Sequence, residues 1–136
     1  RDASSGTPDE TLLDFRTASG QNGLYGVANN GAAAPNRNRP YYFNGTIYGR
    51  TGTAVTAAAL QHFAMTYPGG AASNLRQFLQ GNLESTDALT LDFGATRPLY
   101  VGANFAGTGG WDGRIGELLI DKGTNRYTAS FTPGGF

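Results

Sequence analysis

Any chemistry in this chain has to come from carboxylates, a single histidine, aromatic rings and side-chain amides, because its 136 residues include no cysteine. Disulfides, thiolate zinc sites and Cys nucleophiles are therefore excluded, and one His builds no multi-histidine metal site. A retaining glycosidase needs two carboxyl groups about 5–5.5 Å apart, a spacing that residues i and i+2 of one strand provide. No Glu-x-Asp-x-Glu run is present. Glu84 and Asp87 are three apart, Glu117 and Asp121 are separated by apolar residues, and Asp9-Glu10 lies in a polar lead-in. The chain is accordingly read as a non-enzyme. His62 has no Ser or Cys in an elbow motif; in strand alternation it shares a face with Ala64 and Thr66, opposite Phe63 and Met65.

Sugar binding is the second chemistry the residue types allow, since aromatic faces stack on pyranose rings while amides and carboxylates bond the hydroxyls. Trp111, Tyr41, Tyr42 and Tyr48 offer rings, and Asn82, Asn104 and Asp112 offer polar groups. The competing reading of Trp111 is a core residue beside Ile115, and the tyrosines divide between packing and contact. Calcium needs several oxygen ligands close together; Asp112 with Asn104 is the conceivable pair, but there is no Asp-x-Asp-x-Asp loop. No cofactor is expected. Gly107-Thr-Gly-Gly110 lacks the Gly-Lys-Ser/Thr ending of a phosphate loop, and Asn44-Gly-Thr46 is a glycosylation sequon only in a secretory setting.

The elements that position these residues are short. Gly and Pro number 21 and 6, charged residues make up 15% of the chain, and the formal net charge is zero. Zero net charge gives no electrostatic footprint for nucleic acid or an anionic membrane surface. No stretch approaches the ~18 apolar residues of a membrane span. Apolar residues at 39% and aromatics at 12% are enough to build a core. Abundant glycine then reads as punctuation between strands, because positive-φ turn positions favour Gly and Asn.

Residues 1–10 form the polar lead-in and 11–136 a single domain. Thr11 to Arg16 alternates as a half-buried strand, Asn22-Gly23 marks a hairpin, and Leu24 to Val27 returns. Residues 29–40 read as loop. Tyr41 to Phe43 and Thr46 to Tyr48 flank an Asn44-Gly45 turn, and in the Ala-rich stretch Thr53 to Leu60 Thr and Val pull toward strand. Gln61–Tyr67, Leu75–Gln80, Leu83–Thr86, Leu89–Phe93, Pro98–Gly102, Gly113–Asp121 and Arg126–Phe131 complete the strands, with Gly81-Asn82 as a turn. About nine or ten short strands at this spacing predict an all-β sandwich or barrel.

Four motifs in order carry a resemblance: His62-Phe-Ala-Met-Thr-Tyr67, Leu75-Arg-Gln-Phe-Leu-Gln-Gly-Asn82, Pro98-Leu-Tyr-Val-Gly-Ala-Asn104 and Trp111-Asp-Gly-Arg-Ile-Gly-Glu-Leu-Leu-Ile120. This order resembles the concanavalin A-like lectin/glucanase superfamily, especially the laminin G-like jellyroll domains of bacterial and phage surface proteins. The resemblance spans roughly residues 60–121. It implies an antiparallel jellyroll sandwich, a structural His62 and a packing aromatic at Trp111. The turn departs from the family as Gly81-Asn82, and the last strand has Gly116-Glu117 where Asp-Glu is usual. The strand that precedes the Leu12-Leu13 segment in that family is not found, so the expectation includes a longer parent chain or a neighbour donating the strand. The resemblance implies a non-catalytic recognition or assembly module on an extracellular or virion structure such as a phage fibre, tail or capsid decoration. Its partners would be protein neighbours in a homo-oligomer. The alternative is a lectin module attaching to cell-surface glycans, and a glycoside hydrolase is the remote third.

Overall fold

The structure is a computed structural model that describes residues 10–18, 21, 23–28, 39–43, 46–49, 60–69, 74–89, 96–111 and 113–134. Among them the chain forms eight strands and no helix. These are β1 (Glu10–Asp14), β2 (Leu24–Ala28), β3 (Arg39–Phe43), β4 (Ile47–Gly49), β5 (Phe63–Thr66), β6 (Asn74–Leu79), β7 (Asn82–Ala88) and β8 (Tyr100–Val101). One sheet has the order β4-β3-β2-β1-β8 and the other β5-β6-β7, all pairs antiparallel. The molecule is an antiparallel β-sandwich.

Side-chain alternation on the strands explains how the two sheets meet. Tyr25 and Tyr42 are register partners, so they share a face, and they pack against Leu75 and Leu89 from the other side of the sandwich. Phe63, Met65 and Tyr67, spaced by two on and just after β5, join the same core. At one end of the interface Val27 and Leu79 pack with Leu12, Phe63 and Trp111. The Tyr25 hydroxyl crosses between the sheets to donate to the Ala64 carbonyl at 3.4 Å. Each fully buried aromatic or aliphatic side chain here contributes roughly 1.5–3 kcal/mol by leaving water.

The five-stranded sheet is apolar on its other face too. Leu24 and Phe43 are register partners and cluster with Tyr41. β1 carries an irregularity between Thr11 and Leu13, which sets Glu10 against Val27 but Leu13 against Tyr25. Gly26 lies beside it: a Cβ there would come within 2.3 Å of the Glu10 carbonyl oxygen, so only glycine lets the strands close.

The β6–β7 connection turns on Gln80 and Gly81, whose φ values are 52° and 76°, with Leu79 opposite Asn82. Two central residues with positive φ are the pattern of a type I′ hairpin. The turn therefore sits one residue earlier than the expected Gly81-Asn82, and Asn82 opens β7. Gln80 accepts the left-handed conformation because its side chain ties down the start of β5. Its Oε1 accepts from the His62 amide at 2.8 Å, and its Nε2 donates to the Leu60 carbonyl at 3.2 Å.

Two expected strands are not strands. Residues 113–121 run in irregular backbone, because Leu118-Leu119-Ile120 points apolar groups to both sides and would need cover on both faces. Residues 126–131 also form no ladder. Tyr127 and Phe131 stack with ring centroids 3.7 Å apart, whereas an extended chain would separate them by about 13 Å. The backbone has to fold back on itself for those rings to meet. The expected strand Leu89–Phe93 falls outside the described residues beyond Leu89, and so does Thr53–Leu60 before Leu60.

Candidate functional site

The residues singled out for binding do not converge. Tyr42 is 1% exposed and sits in the core between the sheets, and Tyr41 is buried with Leu24 and Phe43 on the opposite face. Neither ring presents a face on which a sugar could stack. Burial raises the Tyr42 phenol well above the ordinary tyrosine value, with Arg97 opposing and Tyr67 reinforcing the shift. Burial raises Tyr25 likewise. Trp111 is half-buried and meets Phe63 edge to face at 6.0 Å, in contact with the Val27–Leu79 cluster. It fills the end of the core. Asn82 is exposed at the start of β7, and Asp112 lies outside the described residues, as do the side chain of Tyr48 and the Asn44 sequon residue.

Asn104 organises a loop whose structure is self-sufficient. Its Oδ1 accepts from the amides of Ala106 and Thr108 at 3.0 and 2.9 Å, and its Nδ2 donates to Thr108 Oγ1 at 2.9 Å. The carbonyl of Asn104 accepts from Gly107 and its amide donates to Thr108. An amide committed in this way holds a turn. The loop is fastened to β1 at both ends: Gly102 donates to the Leu12 carbonyl and Thr11 to the Gly109 carbonyl, each at 2.9 Å.

Beneath that loop lies a buried ion pair that the sequence did not flag. Asp14 Oδ1 accepts from Arg16 Nε and Oδ2 accepts from Arg16 Nη2, both at 2.9 Å, while Oδ2 also accepts from the Phe105 amide at 3.0 Å. The Arg16 guanidinium lies 5.4 Å from the Phe43 ring centroid and 5.2 Å from that of Phe105, within cation–π range of both. A bidentate carboxylate pair clamped between two rings welds β1, β3 and the 102–111 loop. Its only advance signal was the Asp-x-Arg spacing at a strand end.

On the outer face of the three-stranded sheet, Phe78 is fully buried although it points away from the core. Tyr127 and Phe131 cover it, with ring centroids 6.1 and 5.4 Å away. Phe131 donates its amide to the Gly81 carbonyl, Ser130 Oγ accepts from the Leu83 amide, and Thr66 Oγ1 donates to the Tyr127 carbonyl. Residues 125–134 thus form a strap across β5, β6 and β7. His62 stands on this face with Ala64 and Thr66, its ring edge-on to Phe131 at 5.4 Å and to Tyr127 at 6.5 Å. Burial lowers its pKa below 6.5. His62 is a packing residue of the strap.

The remaining feature is a surface. Ile115, Leu118, Leu119 and Ile120 are all exposed, Leu119 to 61%, and Leu99 just before β8 and Val101 within it are exposed as well. Ile115 Cδ1 lies 3.8 Å from where a Gly102 Cβ would stand, which places the start of this apolar stretch at the end of β8. Monomeric proteins seldom expose contiguous large apolar side chains unless something covers them in use. The carboxylates of this segment are solvated: Glu117 is exposed and Asp121 pairs with Arg126 at the surface. No group of three or more metal-ligating side chains occurs among the described residues. Comparison with family models, curated proteins and solved structures finds no match to this chain.

Proposed function

We propose that the chain is a non-catalytic β-sandwich module whose task is assembly, through protein neighbours that include copies of itself. The exposed run Ile115 to Ile120 carries this reading, because it is the one place where large apolar side chains of the described residues stand together in water. The chain's zero net charge and 15% charged residues oppose no such packing. An extracellular or virion setting is supported by the motif order from His62 to Ile120 alone. Light scattering across a concentration series tests the assembly reading. A mass rising from 14.3 kDa to a discrete multiple is expected, and a monomer at every concentration contradicts it. A glycan array run on the same material decides against assembly as the primary role if it shows specific binding and the chain stays monomeric.

A further inference from the structure

We propose that residues 113–121 are a strand donor that completes the open β8 edge of a second copy, and that two copies exchange this segment reciprocally. The inference rests on the assembly reading and names the surface that reading would use.

Donor and acceptor are both on the page. The donor reads as strand in sequence yet makes no ladder, and none of the backbone hydrogen bonds among the described residues involves 113–121. The acceptor is β8, which ends its sheet: β1 pairs with it on one side, Leu13 against Val101 and Asp14 against Tyr100, and no described strand pairs on the other. An open edge with exposed apolar neighbours is a template for strand addition. Val101 is 47% exposed there.

A rung already exists where the two meet. Trp111 donates its amide to the Gly102 carbonyl at 2.8 Å, one step beyond β8. The ladder then stops. Were 113–121 to continue it within the same chain, Leu118, Leu119 and Ile120 would lose exposure on one side, whereas all three stand in solvent. Each copy has one donor and one acceptor, so reciprocal exchange closes at two with nothing left over, as a two-fold assembly requires. Zero net charge removes like-charge repulsion between copies.

The experiment is light scattering of the full chain with two variants, Leu119→Lys in the donor and Val101→Lys in the acceptor edge. The wild type should reach twice 14.3 kDa. Each variant alone should weaken dimerisation at least tenfold while keeping the wild-type far-UV spectrum. An equimolar mixture should regain dimer, because one donor and one acceptor remain intact in each mixed pair. A dimer that persists in both variants overturns the proposal and leaves the assembly reading standing. Variants that weaken the dimer but show no recovery on mixing also overturn it. A wild type that is monomeric throughout removes both.

Discussion

Residues 113–121 and 125–134 lie close together in the chain, but they meet opposite fates. The second is seated: Tyr127 and Phe131 close over Phe78, and three hydrogen bonds fasten it to β5, β7 and the β6–β7 turn. The first carries four large apolar side chains, Ile115, Leu118, Leu119 and Ile120, and leaves them in water. The difference lies in what each finds beneath it. A buried aromatic on a finished sheet accepts two rings on one side, whereas a Leu-Leu-Ile run needs a surface on each side. Stability therefore belongs to the strap, and association to the segment before it.

Substitutions should divide along that line. The largest loss is expected for Phe78→Ala, which removes the ring that both strap aromatics cover, at about 3–5 kcal/mol in chemical denaturation. Leu119→Ala should change stability by no more than about 0.5 kcal/mol. A comparable cost for the two would erase the distinction between the regions. Asp14→Ala leaves Arg16 buried without its carboxylate and frees the Phe105 amide, so a loss of about 3–5 kcal/mol is expected. That variant should also speed amide exchange in 102–111 without altering 125–134.

Gly81→Ala is a smaller and more local probe. An added Cβ would meet the Phe131 carbonyl oxygen at 2.0 Å in backbone of φ 76°, so a cost of about 1–3 kcal/mol follows from strain. Raised exchange should be confined to the strap. The smallest effect concerns pH. Because burial depresses the His62 pKa in the folded state, the unfolded chain takes up the proton first as pH falls below 6.5. Stability is then full above 6.5 and declines below it until the depressed folded value is passed. A melting-temperature profile that His62→Phe leaves as steep as the wild type just below pH 6.5 would remove His62 from the strap's account.

Much of the sandwich was legible in the chain. The alternation of Leu13 and Phe15, of Phe63 and Met65, and of Leu75, Gln77 and Leu79 places the strands, because period two is a local property that survives any choice of partner. His62, Ala64 and Thr66 were correctly put on one face, and Trp111 packs as a core residue. Partner choice is where local reading stops. Tyr41 and Tyr42 point to opposite faces, and both faces of that sheet turned out apolar, so neither ring is left for solvent. Residues 126–131 read locally as a strand, but the four-residue spacing of Tyr127 and Phe131 serves two rings stacked over Phe78. The Asp14–Arg16 pair was invisible because its worth depends on Phe43 and Phe105, one of them 89 residues away from Arg16.

Hydrogen exchange of the wild-type chain, followed by amide at two protein concentrations, tests the central contrast most directly. In dilute protein the amides of 113–121 should exchange fast while those of Phe131, β6 and β7 stay protected. In concentrated protein the 113–121 amides alone should gain protection. Amides of 113–121 that are already protected in dilute protein and unchanged on concentration would mean that the segment is paired within its own chain, contrary to this account.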